Sequence, residues 1–464
     1  MASESSYLRA KLVVTALAVC LVVSILVSVQ REDRPIPVSA DATQVAATVN
    51  AQWRSMAEHH VSAKLMELQA HEVADRIAQT PSLAVAAADA MPREDSSHGA
   101  ESALAELIAE PHTSQTIRRV FDGLDVNVAM WIAAAFPSAV GNLTGVGYRE
   151  RIAANRIRVA AEAEKSRSMP SPQRPWTETV RKPRPDLAKM LADDTQLIYF
   201  DPDENSGKGA WVELRGSLAR AQHVGVLVPG GSAFLVGENF TRYSARAGSF
   251  VSEARGDLAM LVWAAAPFPS GWVQEMSPSW SQHAAAELTD FMGDLQYRVS
   301  RGTDVTLAGH SYGGAIVGLA EKYGAPADSV LHIASAGAGY GVDSVEDYPR
   351  PCRTRYAMMA PGDPISYVQD IPHFTGVGHG VAPMDLEGTQ RLTTGYLPDS
   401  PLARDDVNRT LGSQGIEGKR IEGFHAHSEV FIKKSDAWRN ILAVLTGQAP
   451  QLHDGHPPVS QACR

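Results

Sequence analysis

Cysteine is scarce in this chain, with three in 464 residues. That excludes a disulfide-dense scaffold or a cysteine-rich metal module. Positive charge is in deficit: 42 Lys and Arg stand against 52 Asp and Glu, for a formal net charge of −10. No basic run with interleaved aromatics occurs, so a nucleic-acid binder is disfavoured and none is expected as a partner. Internal repeats are lacking. Long apolar runs are lacking too, apart from one near the N-terminus. What remains is an ordinary globular composition, 44% hydrophobic and 20% charged. The length suffices for one large domain plus a second module.

The exceptional run covers residues 12–29 and is just long enough to span a bilayer. Arg9 and Lys11 precede it; Arg31, Glu32 and Asp33 follow. A signal anchor or a signal peptide fits residues 1–33. The small-residue cleavage candidates Val38-Ser39-Ala40 and Ala40-Asp41-Ala42 lie well past the run. An uncleaved anchor is therefore the preferred reading, with a catalytic domain outside the cytoplasm; secretion is the alternative. In an oxidising compartment Cys352 and Cys463 can form a disulfide, with two free thiols as the other outcome. Cys20 lies inside the apolar run.

Apolar residues recur at helical spacing over 43–79, again over 102–109 and from Thr113 onward. A helix should stop before Pro137, and Gly141, Asn142 and Gly145 make a turn. Residues 148–167 read as a helix whose Arg149, Arg151, Arg156 and Arg158 form a solvated or ion-paired face. Residues 34–166 thus make a helical module. Residues 167–185, rich in Ser, Pro and Lys, are a linker. From 186 to 446 strands and helices alternate, with strands expected at 196–200, 210–214, 224–228, 258–264, 305–308, 330–334 and 356–359. That pattern is an α/β fold with a mostly parallel sheet. Residues 447–464 form a C-terminal tail.

Gly309-His310-Ser311-Tyr312-Gly313 joins an apolar strand to a small-residue helix, the context of a nucleophile elbow. A serine hydroxyl is a weak nucleophile, so it needs a base within reach and an acid to orient that base. Asp363, directly after a strand two beyond the elbow strand, is the acid; Asp343, Asp347 and Asp370 are weaker rivals. His425 and His427 are both placed to be the base. Their His-x-His spacing lacks a third ligand, so no metal is expected, and no cofactor is called for. The oxyanion needs two preorganised N–H donors. Tyr312 supplies one, and Gly231 or Ser232, after the strand at 224–228, supplies the other, with Gly231 preferred. Pocket candidates are Ser232, His310, His379 at the rim and Trp272. The stretches 267–272 and 375–423 are candidate lids.

These motifs resemble those of actinobacterial α/β-hydrolases long catalogued as a domain of unknown function. The resembling residues are Pro137 to Gly145 with Arg149, Arg151, Asn155 and Arg156, then Val228-Pro229-Gly230 and the His310 to Gly314 elbow. Ala360 to Pro364, His379 to Pro383, and His427-Ser428 with Phe431 complete the set. The resemblance implies an α/β-hydrolase fold and favours His427 over His425 as the base. The usual Gly-Thr-Gly after the strand reads Gly230-Gly231-Ser232 here. The expectation is a serine hydrolase acting on a small-molecule or lipid ester, an esterase or lipase in kind. A cell-envelope acyltransferase and a non-catalytic surface protein are the alternatives. Oligomeric state is left open.

Overall fold

The computed structural model describes residues 42–97, 99–109, 113–168, 186–371, 376–399, 418–454 and 463. The expected anchor at 12–29 and nearly all of the linker lie outside these residues. Among the described residues no helix is long and apolar enough to cross a membrane.

The N-terminal module is helical: α1 (Ala42–His60), α2 (Ala70–Ala78), α3 (Pro81–Asp89), α4 (Gly99–Ala109), α5 (Ser114–Asp122), α6 (Val126–Ala135), α7 (Pro137–Val140) and α8 (Tyr148–Ser168). Met56, Val73, Ile132, Phe136 and Ile157 lie at the centre of its core. The stretch over 43–79 is interrupted. Its apolar stripe takes a five-residue step from Met56 to Val61, which leaves the helical face, and α1 ends at His60. Thr113 caps α5 through the Thr116 amide, and Asp125 caps α6 through that of Asn127. Pro137 ends α6 and begins α7, the place where its missing N–H costs nothing. The Ala-rich α3 lacks a stripe of large apolar residues and was not expected.

The arginine face of α8 differs from expectation. Arg156 is ion-paired, to Asp75 at 2.6 Å and Asp193 at 3.1 Å. Arg151, however, is buried and donates to the Gly141 carbonyl. Arg158 donates to the amide oxygens of Asn142 (2.8 Å) and Asn155 (2.7 Å). Those two asparagines clamp the module to the sheet. Asn142 accepts from the Phe200 N–H at 3.0 Å and donates to its carbonyl at 3.1 Å. Asn155 donates to the Leu197 carbonyl at 3.2 Å. A side-chain amide thus completes the edge strand, which would otherwise present unpaired backbone groups.

The sheet comprises β1 (Gln196–Asp201), β2 (Ala210–Arg215), β3 (His223–Val228), β4 (Leu258–Ala264), β5 (Asp304–His310), β6 (Ser329–Ile333), β7 (Thr354–Met358) and β8 (Gln390–Arg391). Its order is β1-β2-β4-β3-β5-β6-β7-β8. The β1–β2 and β2–β4 pairs are antiparallel and all later pairs parallel. The central strands are largely apolar because both faces are covered. After the short α9 (Leu187–Met190), the covering helices are α10 (Asn239–Glu253), α11 (Trp272–Glu275), α12 (Pro278–Leu295), α13 (Tyr312–Lys322), α14 (Ala426–Glu429) and α15 (Asp436–Leu445). Right-handed crossovers run outward through α10 and back through α12, so these helices lie on opposite faces. Phe250 of α10 stacks on Trp438 of α15 at 5.2 Å, joining one layer. On the other face, α12 lies against α13.

Cys352 and Cys463 form a disulfide with Cα atoms 5.3 Å apart. Leu452 and His453 lie beside β8, where the His453 N–H donates to the Arg391 carbonyl at 2.8 Å. On α13, buried Glu321 takes two bonds from Arg355 of β7, at 2.8 and 3.1 Å, and one from Arg353. Removing one partner of such a group leaves charge stranded in the interior. Glu321→Ala should therefore lower unfolding free energy by about 3 kcal/mol or more. Glu58→Ala, at the exposed Arg54–Glu58 pair, should change it by less than about 1 kcal/mol. Urea titration of both variants checks the contrast.

Candidate active site

Ser311 follows β5 and caps α13, with φ 57° and ψ −127°. This is a costly conformation for a residue with a side chain. Hydrogen bonds hold it in place. The Ser311 N–H donates to the Ile333 carbonyl at 3.0 Å, and its carbonyl accepts from Ala336 at 2.9 Å. A Cβ on Gly313 would run into the Val228 and Pro229 carbonyls, and one on Gly309 would lie 2.6 Å from the Gly314 Cα. Both flanking glycines are thus required sterically. Ser311 is half-buried, and its Oγ is without a hydrogen-bond partner among the described residues.

Asp363 ends the loop after β7. Its side chain caps the following turn by accepting from the Ile365 N–H at 3.0 Å. The carboxylate is buried, and both oxygens lie 3.0 Å from His427 Nδ1. That contact leaves Nε2 of His427 as the nitrogen available to a substrate or nucleophile. His427 lies on α14, its ring 4.8 Å from that of His310, the residue before Ser311. His425, at the start of α14, is exposed and makes no contact with Asp363. The turn between them therefore decides which of the two histidines meets Asp363.

The loop after β3 lies directly over the elbow. A Cβ on Gly230 would be 3.0 Å from Ser311 Cβ and 3.3 Å from its Oγ. Two of the loop's N–H groups are occupied: Gly230 donates to the Tyr243 hydroxyl at 2.9 Å, and Ser232 to the Pro269 carbonyl at 3.0 Å. Among the described residues the Gly231 N–H has no partner. Tyr312 is the first residue of α13, where N–H groups lack intrahelical acceptors. Gly231 and Tyr312 therefore offer the free donors, whereas the Ser232 N–H is taken up by the loop.

Sequence reasoning missed Tyr243, on α10, a helix it did not anticipate. Tyr243 Oη lies 2.8 Å from His310 Nδ1, and His310 Nε2 lies 2.9 Å from the His427 carbonyl oxygen. A carbonyl can only accept, so His310 Nε2 carries the proton. Nδ1 then accepts from the Tyr243 hydroxyl, whose oxygen accepts from Gly230. One directed chain thus links the loop over the elbow to the backbone of His427. Burial, helped by His427 and Arg246, holds the His310 pKa well below the usual value, so the ring is neutral. Arg246 stacks on the Tyr243 and Phe431 rings, at 4.6 and 4.1 Å, and burial lowers its pKa to about 10.

His379 was expected at the rim but is buried. Its ring meets Tyr312 edge-on at 5.1 Å, and its Nε2 donates to the Glu275 carbonyl at 2.6 Å. It supports the site from beneath. Trp272 begins α11, the helix that ends at Glu275. The two candidate lid stretches lead to one place, where the Gly378 N–H donates to the Met276 carbonyl at 3.0 Å.

Glu275 is the other residue that sequence reasoning missed. Its carboxylate rests on Gly231, where an added Cβ would lie 2.7 Å from the carboxyl carbon. Burial raises its pKa, and no cation among the described residues lowers it. Like charges about 5 Å apart at an effective dielectric near 20 repel by about 3 kcal/mol. An ionised Glu275 thus opposes negative charge developing beside Gly231.

Residues 203–375 match a family model described as alpha/beta hydrolase. The matched stretch includes Ser311, Asp363 and the loop after β3, and it ends before His427. The chain has an α/β-hydrolase fold. It is similar to a dienelactone hydrolase-like promiscuous phosphotriesterase from metagenomic libraries, at 17% identity over 52% of this chain and 94% of that one, with a TM-score of 0.32. A second similar structure is carboxyl esterase 2 of the mycorrhizal fungus Tuber melanosporum, at 14% identity over 54% and 91% of the two chains, with a TM-score of 0.28. A third is esterase 2 of Thermogutta terrifontis phosphorylated by paraoxon, at 10% identity over 39% and 75%, with a TM-score of 0.27. A search of curated proteins found no match.

In this α/β-hydrolase fold the Tyr243 hydroxyl satisfies two buried groups at once. Tyr243→Phe should lower unfolding free energy by about 2 kcal/mol, because Gly230 N–H and His310 Nδ1 lose their partner. The double variant Tyr243→Phe/His310→Phe should cost clearly less than the sum of the single changes. A double-mutant cycle in urea measures that coupling.

Proposed function

We propose that the protein is a serine hydrolase that cleaves carboxylic esters through an acyl-enzyme on Ser311. The observation that carries this reading is the contact of His427 Nδ1 with both oxygens of buried Asp363, at 3.0 Å, beside the strained elbow. Asp363 orients the imidazole and stabilises it when it becomes cationic. His427 Nε2 takes the hydroxyl proton as Ser311 Oγ attacks the ester carbonyl. The Tyr312 and Gly231 N–H groups stabilise the oxyanion that forms. His427 then returns the proton to the departing alkoxide, leaving the acyl group on Ser311. Water, deprotonated by the same imidazole, releases the acid and restores the serine.

Two further features bear on substrate and setting. Tyr367 and Phe424 are exposed on the loops that carry Asp363 and His427, and these loops are joined by the Gly423 N–H bond to the Pro361 carbonyl at 2.8 Å. They supply an apolar rim suited to an acyl chain. The Cys352–Cys463 disulfide and the apolar run at 12–29 support a chain that folds outside the reducing cytoplasm, held at the membrane or secreted.

A fluorophosphonate should label the wild-type protein and leave Ser311→Ala unmodified; equal labelling of both removes the assignment. On short p-nitrophenyl esters, Asp363→Asn should lower kcat by about 10³-fold or more, whereas His425→Ala should leave it within about twofold. Steady-state kinetics on the three proteins checks the choice of acid and base.

A further inference from the structure

The carboxylate of Glu275 lies against the loop proposed to offer the oxyanion donor, and among the described residues no cation faces it. Its described neighbours carry no positive charge aimed at it. Gly231 presents backbone. Tyr312 presents a phenol kept neutral by burial. His379 is neutral through burial, and its Nε2–H is committed to the Glu275 carbonyl. Lys208, on the neighbouring turn, donates to Ser270 Oγ at 3.1 Å and covers the Phe234 ring. Among the described residues the carboxylate takes part in no ion pair or hydrogen bond. An unpaired anion in this position raises the energy of every negatively charged tetrahedral intermediate formed at Ser311. A site that retains it works best when something neutralises it during turnover, and among the described residues no side chain does so. Protonation, which burial favours, is one source; a cationic substrate is the other.

We propose that Glu275 is a specificity residue that selects esters bearing a cationic group, such as an ammonium, within a few bonds of the scissile carbonyl. This rests on the reading of Ser311 as the nucleophile. The cation pairs with the carboxylate on binding. The pairing removes the repulsion as charge develops on the oxyanion, so the preference appears in kcat/KM. Neutral esters meet the uncompensated anion and react more slowly. The short α11 that carries Glu275 follows Gly271, whose φ of 84° suits a residue without a side chain, and this turn sets the carboxylate over Gly231.

The test compares two esters of one shape, acetylthiocholine and its neutral isostere 3,3-dimethylbutyl thioacetate, with thiol release followed for the full-length protein. Wild type should favour the cationic ester by about tenfold or more in kcat/KM. Glu275→Gln should abolish that preference, slowing the cationic ester and accelerating the neutral one. An unchanged ratio in Glu275→Gln overturns the proposal, as does a uniform loss on both esters. Fluorophosphonate labelling of Ser311 in both proteins separates the two levels. Labelling with an unchanged ratio removes the role of Glu275 alone, and failure of wild type to label removes the serine hydrolase reading beneath it.

Discussion

Ser311 sits at φ 57° and ψ −127°, a backbone state that costs on the order of 1–3 kcal/mol for a residue with a side chain. It persists because its neighbours leave no alternative. The Ile333 carbonyl holds its N–H, Ala336 holds its carbonyl, and β3 passes so close to the first turn of α13 that Gly313 has no room for a Cβ. The same close passage puts the loop after β3 beside the serine side chain. The strain at one residue and the position of the donor loop are therefore one constraint. Any change that separates β3 from α13 loosens both.

The proposed acid and base depend on this constraint less directly. Asp363 is held by its own turn and His427 by α14, and the two meet at 3.0 Å. What ties them to the donor loop is the directed chain from Gly230 through Tyr243 and His310 to the His427 carbonyl. A neutral histidine inside the elbow serves here as a rigid connector. Buried Arg246, stacked on two rings, lies against the same group and disfavours a second positive charge there. The polar interior behind the site is thus organised to keep His310 neutral.

Much of the fold was legible in local pattern. The seven expected strands formed; five of them, β3 to β7, lie in the parallel part of the sheet and read as largely apolar runs bounded by turns. The elbow turn and the place of Asp363 after β7 were legible because strand order and turn chemistry act over short distances. Three things were not. The interruption between α1 and α2 follows from a phase slip that reads as tolerable spacing until the helix must pack. The burial of Arg151 and the role of Arg158 depend on Asn142 and Asn155 meeting β1, which is a tertiary event. Tyr243 and Glu275 reach the site from α10 and α11, and neither stands in a motif. Short motifs report the residues of the proposed chemistry, whereas the residues packed around them arrive by tertiary contact.

The bond between Cys352 and Cys463 has a further consequence. Cys352 lies just before β7, at the end of the parallel strands away from Ser311 and Asp363. A strand of this length spans roughly 17 Å. A reporter or surface linker fused after position 463 would therefore emerge on the side opposite the substrate entrance, tethered even if the polypeptide were nicked between the two cysteines. Reductant would release that tether without touching the reaction centre. The distal end of the molecule can thus be used for attachment independently of turnover.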